Sequence, residues 1–78
     1  MKLHNSPAYL RMVDGRPVAV RYGGRWHRVR RMIDYWREAG RWWLGEAEEE
    51  FVRLETSTII TLHRRRDDGQ WYVLQACD

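Results

Sequence analysis

Cysteine is nearly missing from this chain of 78 residues, and so is any long apolar segment. The lone Cys77 cannot form an internal disulfide, which fits a reducing compartment. No run of about 18 apolar residues is present, so we expect no membrane-spanning helix. The first ten residues contain no apolar signal core, and we therefore expect a cytoplasmic protein that does not bind a membrane.

Metal ligands and catalytic side chains are equally scarce. The candidate ligands do not have the spacing of a zinc site; they are His4, His27, His63 and Cys77. His63 would serve Cys77 as a base only if the last two strands aligned the two side chains. We therefore expect no metal, no cofactor and no enzymatic activity.

Acidic residues are scarce in the first 31 positions, where Asp14 stands alone against eight basic residues. Four glutamates instead crowd into residues 46–50. Almost all of the basic excess is arginine, which grips phosphate with a planar fork and stacks on flat rings. This uneven charge indicates a polyanion as a partner. The alternative is that the arginines only coat a solvated face.

Large rings are plentiful, with five Trp, four Tyr and one Phe. Each ring can bury roughly 150–250 Å², which offsets the small core that a chain of this length can build. With 44% hydrophobic residues, the chain is too apolar to be disordered. We expect a single small β domain over residues 16–78, preceded by an N-terminal arm or edge segment over residues 1–15.

Alternating apolar residues and turn signals predict a mainly β fold. Gly23-Gly24 is a hairpin signal, and Asp67-Asp68-Gly69 is a second turn signal. The predicted strands are residues 17–22, a strand that starts at Arg25, residues 49–55, residues 58–64 and residues 70–76. The last strand is apolar on both faces, which favours a small curled antiparallel sheet or barrel of about five strands.

Residues 29–39 fit two different structures. Apolar residues recur there at helical spacing, at Val29, Met32, Ile33 and Trp36. A long strand with a bulge would shift the phase of the pattern in a similar way. We favour a strand that gives way to one short helical turn near residues 30–39.

An adjacent tryptophan pair, Trp42-Trp43, begins the C-terminal half. In a strand, neighbouring side chains point to opposite faces, so one indole would join the core. The other would need cover from a second layer, a partner protein or a nucleobase. We expect Trp36 and Trp71 to lie in the core, and Trp26 and one of the pair to be the candidates for exposure.

Rings and arginines alternate in residues 25–28, 36–37 and 41–43. Single-stranded nucleic acid is commonly held by a basic groove with rings on which bases stack, each stack contributing roughly 1–3 kcal/mol. Exposed Trp and Arg side chains also dominate protein-binding hot spots. The candidate binding residues are Arg25, Trp26, Arg28, Arg30, Arg41, Trp42, Trp43 and Arg53.

The order of these motifs resembles a known family. The sequences WWLGE at residues 42–46, FVRLET at 51–56 and WYVL at 71–74 are similar to the C-terminal segment of an inactive polymerase homologue. That homologue is the Y-family member of the bacterial mutagenesis, or translesion, cassette. Residues 16–78 resemble even more a small bacterial domain of unknown function, through GRWHRV at residues 24–29 and WREAG at 36–40.

The resemblance implies an accessory role, because the polymerase homologue bridges proteins during translesion synthesis and its tail is an interaction region. Residues 48–50 are glutamates where the family has basic residues. We expect a non-catalytic binding module in DNA repair or translesion synthesis that presents Trp and Arg to a protein partner or to single-stranded DNA. The alternative is a self-associating structural domain, a homodimer through the Trp pair, without a nucleic-acid role.

Overall fold

The computed structural model describes residues 6–65 and 68–77, with the backbone alone at Cys77. Most of these residues form seven strands: β1 Pro7–Val13, β2 Arg16–Tyr22, β3 Arg25–Arg28, β4 Arg31–Glu38, β5 Glu49–Glu55, β6 Ile59–Arg65 and β7 Trp71–Cys77. A 3-10 turn, Trp42–Leu44, lies between β4 and β5, and neither described range contains an α-helix.

The strands form one antiparallel sheet with the order β3-β2-β1-β7-β6-β5-β4. A short joint between β1 and β7 connects a three-stranded half, β1–β3, to a four-stranded half, β4–β7. It consists of two residue pairs, Pro7 with Tyr72 and Ala8 with Trp71. One more hydrogen bond, of 2.8 Å, runs from the Val73 amide to the Ser6 carbonyl.

The chain crosses from one edge of the sheet to the other between β3 and β4. The Val29 amide donates to the Val18 carbonyl of β2 at 3.0 Å, and the Arg30 amide donates to the Glu55 carbonyl of β5 at 2.7 Å. Two successive residues thus bind strands from opposite ends of the sheet order. The sheet therefore curls until its edges approach each other, and it forms a half-barrel with a concave inner face.

The inner face carries the hydrophobic core. Its five fully buried aliphatic residues are Val20, Leu54, Ile60, Leu62 and Val73. Burying each of these side chains stabilises the fold by roughly 1.5–3 kcal/mol. Five further buried residues complete the cluster: Ala8, Tyr22, Val29, Val52 and Ala76.

The predicted curled antiparallel β fold is confirmed, but the predicted number of about five strands is wrong because β1 and β4 add to it. β1 lies inside the stretch expected to be an N-terminal arm, between β2 and β7. Only Ala8 and Leu10 of β1 pack on the core, so the apolar alternation is too short to stand out in the sequence. Residues 1–5 of the expected arm lie outside the described residues.

The short helical turn expected near residues 30–39 is replaced by β4, which pairs with β5 along its whole length. The pairing shifts register between Met32 and Asp34, so Ile33 is an extra residue in a bulge. This bulge puts apolar residues at helix-like spacing although the backbone is extended.

The Trp pair also differs from the expectation, because it lies in the 3-10 turn rather than in a strand. Gly45 ends the turn in the left-handed conformation, with φ 77°, and its amide donates to the Trp42 carbonyl at 3.0 Å. Any residue with a Cβ would be strained there. Both indoles are exposed. Trp71 is half-buried and packs against the core, whereas Trp36, which was also expected in the core, is half-buried on the opposite face of the sheet and stacks on Phe51.

Replacing Leu54 with Ala should lower the free energy of unfolding by about 2–5 kcal/mol, because the side chain is completely buried in the inner face. Ile59→Ala is the control, since Ile59 is 43% exposed on the next strand and its loss should cost less than about 1 kcal/mol. Urea unfolding followed by circular dichroism measures both. Equal losses would show that the core does not lie on the inner face.

Candidate nucleic-acid interface

A row of three side chains crosses the outer face of the three-stranded half. Tyr9 of β1 stands opposite Arg21 of β2, and Arg21 stands opposite Trp26 of β3. Directly opposed residues of antiparallel strands share a face, so the two rings flank the arginine. The rings are 52% and 54% exposed, which is high for side chains of this size.

A second row lies beside the first. Arg11 stands opposite Ala19, and Ala19 stands opposite Arg28, so a small residue separates two exposed arginines. We call the five large side chains of both rows the outer basic surface: Tyr9, Arg11, Arg21, Trp26 and Arg28. Its three arginines form no ion pair with any described residue.

The three strands that carry this surface contain no acidic residue. Asp14 is the only acid between residues 6 and 31, and it lies in the turn between β1 and β2. The positive charges of the outer basic surface are therefore uncompensated on their own strands. Such a patch attracts anions and raises their local concentration.

The outer face of the four-stranded half carries a second row of rings, Trp36, Phe51, His63 and Tyr72. Trp36 and Phe51 stack with centroids 5.2 Å apart, and Phe51 and His63 stack at 6.3 Å. Phe51 is buried by these contacts. The rings of this row therefore pack mainly against one another within the sheet.

The outer face of this half also differs from the outer basic surface because one of its arginines has an acidic partner. An ion pair joins Arg31 to Glu55 at 3.1 Å. Arg53, which the sequence places among the binding residues, lies over the Trp36 ring at 5.4 Å and donates to the Thr61 hydroxyl at 3.2 Å. Arg53 thus holds the ring row in place.

The loop after β4 presents a separate apolar tip. Trp42, Trp43 and Leu44 are 77%, 64% and 62% exposed, and the two indoles touch edge to face at 5.8 Å. Arg41 precedes them and donates through Nε to both carboxylate oxygens of Glu46, at 2.7 and 2.9 Å. The tip therefore carries exposed rings, but its arginine is already paired.

The eight binding residues predicted from the sequence thus fall into separate places. Trp26 and Arg28 belong to the outer basic surface. Arg25 is exposed on the same strand opposite Tyr22, which is buried on the inner face, and Arg30 is exposed where the chain crosses to β4. The loop tip holds three more residues and β5 holds the last: Arg41, Trp42, Trp43 and Arg53.

Sequence reasoning missed three members of the outer basic surface: Tyr9, Arg11 and Arg21. Tyr9 and Arg11 fall in the segment expected to be an arm, so the sequence did not predict that they lie beside β2. Arg21 is one of the residues that make the N-terminal half basic. The alternation of residues 17–22 places Val20 and Arg21 on opposite faces of the strand, and this pattern was sufficient to predict that Arg21 is exposed.

The inner face has a polar network of its own at the end of the core. The Tyr35 hydroxyl and an Arg64 N–H both donate to Oε2 of Glu50 at 2.8 Å. Arg37 Nε in turn donates to the Tyr35 hydroxyl at 3.0 Å. The Tyr35 hydrogen bond, aided by Arg64, holds the pKa of Glu50 below its ordinary value of 4.5 although burial opposes this.

Among the described residues, no group of three His, Cys, Asp or Glu side chains is arranged to hold a metal ion. Nor does the described part of the chain contain a helix long and apolar enough to span a membrane. Comparison with family models, with curated proteins and with solved structures finds no match to this chain. The site must therefore be interpreted from its own geometry.

Glu50→Gln should lower the free energy of unfolding at neutral pH by about 1–3 kcal/mol, because Arg64 loses a buried charged partner. The folded pKa of Glu50 is depressed, so its contribution is complete above 4.5 and disappears as the pH falls through the lower folded value. The gap between wild type and variant should therefore shrink below pH 4.5. Urea unfolding across this pH range measures it.

Glu49→Gln provides the matched control, since Glu49 is the neighbouring residue and its side chain is 38% exposed. Its unfolding free energy should stay close to that of the wild type at neutral pH. A Glu50→Gln loss that is the same at every pH would contradict the depressed pKa.

Proposed function

We propose that the chain is a non-catalytic binding module that holds single-stranded nucleic acid on the outer basic surface. One observation carries the proposal: the row of Tyr9, Arg21 and Trp26 sets two half-exposed rings around an arginine. The strands β1, β2 and β3, which carry these residues, contain no acidic residue. Rings on which bases stack, together with unpaired positive charge, are the two needs of a single-strand site.

The mode of binding follows from the spacing of the strands. Tyr9 and Trp26 stand two strands apart, or roughly 10 Å at the usual separation of paired strands. Bases would stack on the two rings, and Arg21 between them would meet the intervening phosphate. Arg11 and Arg28 in the second row would extend the same contact along the backbone. This arrangement contacts the faces of the bases and the phosphates rather than the base edges, so we propose binding with little sequence preference.

A role in DNA repair or translesion synthesis is the proposed setting. It is supported by the resemblance of residues 42–74 to the tail of the polymerase homologue, which bridges proteins during translesion synthesis. In this proposal the module would hold the strand near its partners and would carry out no reaction itself.

Trp26→Ala should weaken binding of oligo-dT by roughly 1–3 kcal/mol, because one stacking ring is lost. Arg21→Ala should weaken binding and also flatten its dependence on salt, by roughly 0.7 in the slope of log affinity against log salt. Tryptophan fluorescence quenching at several salt concentrations measures the wild type and the Arg21 variant. Polarisation of a dye on the oligonucleotide measures the Trp26 variant.

Trp43→Ala is the control, since this indole is also exposed but lies in the loop after β4. Its affinity for oligo-dT should equal that of the wild type. The proposal fails if the wild type shows no quenching at tens of micromolar oligonucleotide, or if all variants lose the same affinity.

A second candidate function rests on the apolar tip. Three consecutive apolar side chains with more than half of their surface exposed, Trp42, Trp43 and Leu44, are rare on a monomer. They fit self-association, in which the Trp pair of one chain covers that of a second chain in a homodimer. This contact would leave the outer basic surface open, because the tip lies on the loop between β4 and β5.

If the tip is a dimer contact, the double substitution Trp42→Ser and Trp43→Ser should convert a dimer into a folded monomer. Both side chains contact little of their own chain, so the free energy of unfolding of the monomer should hardly change. Sedimentation equilibrium of the wild type and the variant up to millimolar chain concentration tests this. A wild type that stays monomeric at that concentration removes this candidate.

A further inference from the structure

The concave side of the half-barrel contains an open groove of about 590 Å³. This volume lies in the range of small-molecule sites, which is about 300–1,000 Å³. We call it the inner groove. Its walls come from both halves of the sheet: Leu10, Met12 and Pro17 on one side, and Met32, Tyr35 and Val52 on the other.

The walls expose side chains that usually lie in contact with another group. Met12 and Met32 are each 51% exposed, and Tyr35 is 41% exposed. The two methionines lie on β1 and β4, so they come from different halves of the sheet. Thioether sulfurs are polarizable and make favourable contacts with aromatic rings. These walls therefore suit a flat ring system better than a flexible chain.

The floor of the groove offers one acceptor without a partner. Both hydrogen bonds to Glu50, from Tyr35 and Arg64, end on Oε2, and no described group donates to Oε1. Glu50 as a whole is nine-tenths buried, while its Oε1 keeps contact with the open groove. A ligand in the groove can therefore donate to Oε1 in place of water.

The floor also offers donors beside this acceptor. The Arg64 guanidinium carries five N–H groups and donates one hydrogen bond to Glu50, while its plane covers the Trp71 ring at 4.4 Å. Glu50 and Arg64 form a pair without net charge. A neutral ligand edge with a donor next to an acceptor matches this pair, whereas a charged group would be attracted by one member and repelled by the other, with no net gain.

We propose that the inner groove binds a flat, uncharged heterocycle that carries an N–H donor beside a ring acceptor, which is the chemistry of a nucleobase. The ligand N–H donates to Oε1 of Glu50, and the ligand acceptor takes a hydrogen bond from Arg64. Met12 and Met32 contact the faces of the ring. This site lies on the opposite face of the sheet from the outer basic surface and does not depend on nucleic-acid binding there.

The test uses nucleosides, which present a base without a phosphate. Isotope-edited spectra resolve the indole N–H groups, and Trp71→Phe identifies the signal of Trp71. Titration with guanosine, adenosine, cytidine and uridine should shift the Trp71 signal saturably, and should leave the signals of Trp26 and Trp42 unchanged. Isothermal titration calorimetry gives the dissociation constant.

Glu50→Gln should weaken nucleoside binding roughly tenfold or more, because one hydrogen bond to a charged group is lost. Glu49→Gln should bind as the wild type does. Since Glu50→Gln also affects folding, Met32→Glu is a second test: it places a charge at the half-exposed mouth of the groove and should abolish binding without disturbing the core. Trp26→Ala should leave nucleoside binding intact even if oligonucleotide binding falls.

Two probes distinguish binding of a free nucleoside from binding of a base within a strand. A shift of Trp71 by free nucleosides assigns the groove to small molecules, and a shift by a short oligonucleotide alone assigns it to a base within a strand. Naphthalene-2-methanol serves as the apolar comparison. If it binds as tightly as the nucleosides and Glu50→Gln does not affect them, or if no probe shifts Trp71 at millimolar concentration, the proposal is overturned.

Discussion

The fold depends on one backbone feature, the crossing at Val29 and Arg30. Their two amides bind β2 and β5, which lie near opposite ends of the sheet order. A flat sheet cannot satisfy both bonds, so the sheet curls and its inner face closes on itself. The described residues form no second layer that could cover the apolar face, and curling supplies that cover. The inner groove is the part of the concave face that the curl leaves open.

The same curl gives the two faces different chemistry. The inner face concentrates aliphatic side chains and the partly buried ion pair of Glu50 with Arg64. The outer face divides along the β1–β7 joint into a half where the arginines form no ion pair with a described residue and a half where Arg31 pairs with Glu55. The uneven charge of the sequence therefore becomes a spatial division. The proposed nucleic-acid surface is the part of the outer face where this division leaves positive charge unbalanced.

Much of the fold was readable from the sequence because alternation is a strong signal where strands are regular. The hairpin of residues 49–55 and 58–64 and the strand from residue 70 appear almost where predicted. The signal failed at bulges: Ile33 shifts the phase of β4, and β7 changes register against β6 so that both Val73 and Ala76 are buried. The site was harder to predict, because Tyr9, Arg21 and Trp26 meet only through strand register. No local pattern shows which strands become neighbours.

The β1–β7 joint gives the sheet a weak seam. Two residue pairs span it, together with the hydrogen bonds from the Val73 amide to Ser6 and from the Gln70 side chain to the Ala8 carbonyl. Neighbouring strands within each half instead pair along most of their length. Opening of a protein begins where the fewest bonds must break together. The molecule is thus best regarded as two β-ribbons, one of three strands and one of four, that share one aliphatic core. Deuterium should therefore exchange into the amides along the seam before it reaches those inside either ribbon.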